Sequence, residues 1–254
     1  MDHRTSTCWC RHCRARRRRP YVIAYLLLAT AALLYVLAHP QPGHAQPHQT
    51  PAPATTRSPA PRQAPAAASP TAAAGQGLNW IGFHGMQLPV SPADGPHDTR
   101  DGLASGFTDT PQGALLAAIN IGVRTAAQWG TTIFEPTITR QVTGPDATAL
   151  LQADEAASAQ IGAAAGAGLV PPAEQGYAAE VGYRFLAWSR SSAVVDVVSA
   201  GPAANGTTVL ASTRIQVLWL RGDWRVVAPP GGNWASAATA ITSLNGYTVF
   251  PGER

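Results

Sequence analysis

Residue types able to do chemistry gather in two parts of the chain, and neither set completes a reaction centre. The first is the cluster Cys8-Trp9-Cys10-Arg11-His12-Cys13. Thiols and an imidazole are ligands that zinc accepts, but the C-x-C-x2-C spacing lacks the separated pairs that close a tetrahedral site. Plain reduced thiols fit the pattern best, with lipidation of juxtamembrane cysteines as the alternative. In the second part, Asp196 stands alone in Val194-Val195-Asp196-Val197-Val198, and His84 lies between Phe83 and Gly85. Proton transfer needs a carboxylate or imidazole of shifted pKa within hydrogen-bond reach of a substrate. A single acid on a half-exposed strand is expected to face solvent, and a lone histidine beside a phenylalanine is expected to pack or hydrogen-bond. Asp94, His97 and Asp98 stand in a Gly/Pro-rich stretch and read as turn formers. No Ser-His-Asp, HExxH, P-loop or GxGxxG arrangement occurs. No catalytic, metal-binding or cofactor-binding residue is therefore assigned, and the expectation is a protein that is not an enzyme.

Charge is divided unevenly along the 254 residues, and the net +4 conceals this. All 18 basic residues are Arg. Seven Arg against one Asp occupy residues 1–20, whereas residues 76–254 carry nine Arg against thirteen acids. The basic character belongs to the tail. A nucleic-acid-binding body needs a basic face to pair with phosphates, so none is expected of the main domain. All three cysteines lie in the first thirteen residues, so the main domain has no disulfide and must stand on its own core.

The tail ends in Arg14, Arg16, Arg17, Arg18 and Arg19, and Tyr21–Ala38 follows without a charge. A spanning helix needs about 20 apolar residues, with 17 to 25 the common range. The arginines orient such a span with its N-terminal end in the cytoplasm, which exports everything after residue 39. A secretory signal cleaved near Ala45 is the alternative, and it also exports the domain. Residues 39–75 consist largely of Pro, Ala, Gln, Thr and Ser, which offer too little apolar surface to offset ordering entropy. The expected organisation is a cytoplasmic tail (1–20), a signal anchor (21–38), a disordered Pro/Ala linker (39–75) and an exported domain (76–254).

Within that domain the texture is helical first and β-rich afterwards. Thr110-Pro111 offers an N-cap and a first-turn proline, and Leu115, Ile119 and Val123 recur every fourth residue, predicting a helix over 111–129. A second helix is predicted over 147–164, with Leu150, Leu151 and Ile161 on an Ala-rich body. Trp80–Pro96 mixes aromatics with Gly and Pro and reads as an irregular arm. Strands are expected at 177–190, 193–199, 207–220 and 224–228, with turns at Asn205-Gly206 and Arg221-Gly222-Asp223. Alternation along Thr213–Trp219 predicts Trp219 on the buried side and Gln216 on the other. The fold class is α+β, with helices packed on one face of an antiparallel sheet.

That order, ending in a long strand, an Arg-Gly-Asp turn and Trp224-Arg225-Val226-Val227, resembles the nuclear-transport-factor-like, or cystatin-like, cone. The layout of basic tail, single span, Pro-rich linker and exported cone resembles the bitopic assembly factors of conjugative type IV secretion, TcpC-like and VirB-type. It departs from the TcpC-like proteins in having one cone where those can carry two. Trp80–Pro96 and Gly106–Arg124 are similar to an uncharacterised family of exported domains in high-GC Gram-positive bacteria. The resemblance implies a membrane-anchored scaffold in a conjugation or secretion complex, with envelope proteins or a second copy of itself as partners. An exported small-ligand-binding cone is the alternative, to be favoured by a pocket lined by Phe185, Trp188 and Trp219; a cone-fold isomerase or hydrolase comes third. Scaffold interfaces favour aromatic anchors. The candidates are Trp80, Phe83, Trp234, Tyr247 and Phe250, which lie outside the helix-plus-meander core and either dock onto it or stay open for a partner.

Overall fold

Alternating apolar side chains from Tyr183 to Val226 define one face of a sheet, and a helix with apolar residues on nearly every side lies across it. The computed structural model describes residues 74–166, 178–203 and 207–251. The Arg14–Arg19 cluster, the apolar stretch 21–38, the linker to residue 73 and the Asn205-Gly206 turn lie outside the described residues. Among those described, no helix is long and apolar enough to cross a membrane.

The first element is a hairpin, β1 (Asn79–Phe83) and β2 (Met86–Val90), where the sequence suggested an irregular arm. His84 and Gly85 form its two-residue turn, both at positive φ (47° and 89°), the geometry whose twist suits paired strands. Helix α1 (Pro111–Arg124) begins as expected, with the Thr110 hydroxyl accepting from the Gly113 N–H at 3.0 Å. It stops five residues short of the expected end. The Thr125 hydroxyl donates to Gly122 O and the Trp129 indole to Val123 O, and these side chains satisfy carbonyls that further helical turns would have used.

Helix α2 (Thr131–Gln141) was not expected. Its β-branched residues and Pro136 disfavour a helix, yet Ile133, Phe134, Thr137, Ile138 and Gln141 form one buried helical stripe. The short strand β3 (Val142–Thr143) follows, and α3 (Ala147–Gly166) packs Leu150 against Phe134 and Ile138. Ile161, on the same Ala-rich helix, is exposed.

Strands β4 (Ala179–Trp188), β5 (Ser192–Pro202), β6 (Thr208–Leu220) and β7 (Asp223–Val227) form the expected antiparallel meander. Two short strands, β8 (Ala238–Ile241) and β9 (Thr248–Val249), add to β6 and β4. The pairing of β3 with β7 is parallel, so the sheet is mixed. Leu115, Leu116, Ile119 and Ile121 of α1 are fully enclosed with Val195, Val217 and Trp224, each burial contributing about 1.5–3 kcal/mol. Trp219 is half-buried against this core and meets Trp224 edge-on at 5.3 Å, while Gln216 is exposed on the other face.

Candidate functional site

The side chains that alternate with the core on β4–β6 build the opposite face of the sheet. Arg184, Asp196 and Arg214 are direct cross-strand partners, one on each of three adjacent strands. Side chains opposite each other on neighbouring strands stand close enough to pair. Arg184 Nη2 donates to Asp196 Oδ2 at 2.7 Å, and Arg214 Nε donates to Oδ1 at 2.9 Å. Arg214 adds a longer contact from Nη2 to Oδ2 at 3.4 Å, gripping the carboxylate side-on.

Asp196 lies on the expected non-core face but does not face solvent: it is 3% exposed, because two guanidiniums roof it. Burial alone pushes its pKa up. Hydrogen bonds from Arg214 and Arg184 outweigh that and hold it below the ordinary carboxylate value. A carboxylate so held is a weak base.

These three residues form the floor of a half-open groove of about 600 Å³. Ser212, Gln216 and Val194 continue the floor, and the far wall is Pro145-Asp146 from the turn before α3 and Ala228-Pro229-Pro230 after β7. Residues around β8 and Tyr247 close the remaining side. The Tyr247 ring covers the Arg184 guanidinium at 4.5 Å, and its hydroxyl donates to Ser212 Oγ at 3.0 Å. Both arginines keep an outer edge in solvent, their side chains 40% and 59% exposed, while the Nε of Arg184 is buried without a hydrogen-bond partner.

The aromatic candidates separate. Tyr247 lines the groove, whereas the other four dock on the core. Phe250 is buried beside Tyr183 and meets Trp80 edge-on at 5.7 Å. Phe83 packs on Trp129 at 5.4 Å and lies under the Arg124 guanidinium at 4.3 Å. Trp234 donates from Nε1 to Thr125 Oγ1 at 2.9 Å. Phe185, Trp188 and Trp219, the expected pocket lining, pack against the core on the helix side instead.

Other ionisable groups serve the fold. Asp94 accepts from the Thr108 and Thr110 hydroxyls at 2.7 and 2.6 Å, fixing the start of α1, and Asp98 pairs with Arg100. His84, exposed in its turn, contacts the Phe83 and Trp129 rings. Arg124 is 2% exposed and donates to Asn120 O at 2.8 Å, with burial lowering its pKa to about 10. Burial raises Glu180 to about 7 against a hydrogen bond from Ser199, and Asp154 to about 6 against one from the Ala127 N–H. Neither acid lines the groove. Among the described residues no group of three or more His, Cys, Asp or Glu could hold a metal ion.

The arginines were missed in the sequence, and turn position alone could not have supplied both. The turn joining β4 to β5 would by itself set Arg184 opposite Val197; a bulge between Phe185 and Ala187 shifts the register by one and brings Arg184 opposite Asp196. The chain belongs to the family of a domain of unknown function, DUF8175, which matches residues 40–249 and so takes in the linker stretch as well as the folded region. No curated protein and no solved structure matches the chain.

Proposed function

We propose that this family member is a non-catalytic docking module, exported and held on a single membrane anchor, which joins another protein of the cell envelope through its groove. The observation that carries the reading is the state of Asp196. The one acid on the groove floor is clamped as a carboxylate by two guanidiniums, an arrangement suited to recognition and poorly suited to moving protons. Tyr247 and the outer arginine edges supply the aromatic and guanidinium groups that protein interfaces favour.

The basic tail and the uncharged stretch 21–38 support export and anchoring. The layout's likeness to bitopic assembly factors supports a place in a conjugative transfer or secretion complex. Helices followed by a meander support the cystatin-like cone as the finer description of the fold. The groove volume falls within the ~300–1,000 Å³ of small-molecule sites, which favours an exported ligand-binding domain as the second reading.

The test is a photo-crosslinking residue placed at Gln216 in the full chain, in its native cells, with a second at exposed Ile161. The docking reading expects a discrete protein adduct from Gln216 that is absent from Ile161 and is lost on Arg214→Glu. No adduct at Gln216, or one indifferent to Arg214→Glu, overturns it. A reporter active only outside the membrane, fused after Gly75, checks the topology: activity in the membrane fraction is expected, and cytosolic activity contradicts the anchor.

A further inference from the structure

Resting on that docking reading, we infer that the groove recognises a carboxylate: an acidic side chain on an extended segment of the partner protein, received by the outer edges of Arg184 and Arg214.

The inference begins with unspent hydrogen-bond donors. Arg214 commits Nε and Nη2 to Asp196, and Arg184 commits Nη2, with a long 3.5 Å contact from the same nitrogen to the Tyr247 hydroxyl. Nη1 of each remains uncommitted, one from either arginine, whereas the Nε of Arg184 is buried and out of a ligand's reach. Guanidinium donors lie in a rigid planar fork whose spacing matches the two oxygens of a carboxylate. Because Asp196 holds both arginines, their orientation is fixed before a ligand arrives, and little further side-chain entropy is lost on binding.

Charge selects the ligand further. Two guanidiniums against one carboxylate leave the floor with one uncompensated positive charge. A single carboxylate neutralises it. A phosphate dianion overshoots, facing Asp196 beneath and Asp146 on the far wall, and Asp146 pairs with neither arginine. The walls suit an extended chain: Pro230 offers exposed apolar surface, and Gln216 offers an exposed amide able to bond a passing backbone.

The test is calorimetric titration of the detergent-solubilised full chain with a capped peptide of alternating glutamate and glycine, the same peptide with glutamine, and inorganic phosphate. Saturable 1:1 binding of the glutamate peptide is expected, at least tenfold tighter than the glutamine peptide and weakened when salt is raised. Arg214→Gln and Gln216→Glu should each weaken it tenfold or more, the second by placing a repelling charge at an exposed floor position that burdens folding little. Arg190→Gln, whose arginine pairs with Asp109 outside the groove, should leave it unchanged. Equal binding of the two peptides, no binding of the glutamate peptide, or displacement of it by phosphate below the peptide's own concentration overturns the inference. If the Gln216 adduct persists in such a case, the carboxylate assignment alone falls; if the adduct is absent too, the docking reading falls with it.

Discussion

The two faces of the central sheet use the same strands for opposite purposes. Toward α1, Tyr183, Val195, Val197, Ile215 and Val217 are closed off from water with Trp224. On the other face Arg184, Asp196, Arg214 and Gln216 line a groove half open to solvent. Two aspartates sharpen the contrast. Asp223, at the start of β7, accepts the backbone N–H groups of Gly106, Phe107 and Trp224 and ties the loop before α1 to the sheet. Asp196 bonds side chains whose outer edges remain free. An acid spent on backbone donors is a structural knot, whereas an acid that holds cations in place can prepare them for a partner.

The contrast breaks most sharply if the core face is opened. Trp224→Ala removes a fully buried indole and its 2.8 Å hydrogen bond to Thr108 O, and should cost about 3–5 kcal/mol in chemical denaturation. Gln216→Ala, on the same sheet but facing the groove, should stay within about 0.5 kcal/mol. Similar losses from both would mean the two faces are energetically alike.

Asp196→Asn should cost about 1–2 kcal/mol at pH 7, since it leaves two guanidiniums on adjacent strands without their shared counter-charge. The folded pKa of Asp196 is lowered. Its contribution is therefore complete above the unfolded carboxylate value near 4 and is lost as pH falls through the folded value. Denaturation curves of wild type and variant should converge on acidification; a gap that persists in acid would deny the ion-pair origin.

Glu180→Gln should act in the opposite direction. The folded pKa is raised to about 7, so the wild type carries no penalty at pH 4, a growing one as pH rises, and the full penalty above 7. Because Glu180 is only half-buried, a gain of about 1 kcal/mol at pH 8 is expected, vanishing at pH 4. Arg214→Gln should have a small effect on folding: its exposed guanidinium should contribute less than about 1 kcal/mol to stability while dominating glutamate-peptide affinity. A loss of folding comparable to that of Trp224→Ala would make the arginine a core element.

Local chemistry decided what the sequence could determine. Thr110-Pro111 started α1, the Arg221-Gly222-Asp223 turn joined β6 to β7, and alternation along β6 placed Gln216 and Trp219 on opposite faces, because each rests on backbone and side-chain geometry within a few residues. Tertiary structure decided the rest. Thr131–Gln141 is helical although its Thr, Ile and Pro136 argue against it, since burial of Ile133, Phe134 and Ile138 outweighs weak propensity. His84-Gly85 makes a tight hairpin turn because the strands on either side pair. The roofing of Asp196 is likewise non-local: Arg184 and Arg214 stand twelve residues before it and eighteen after, and only strand pairing brings both guanidiniums onto one carboxylate.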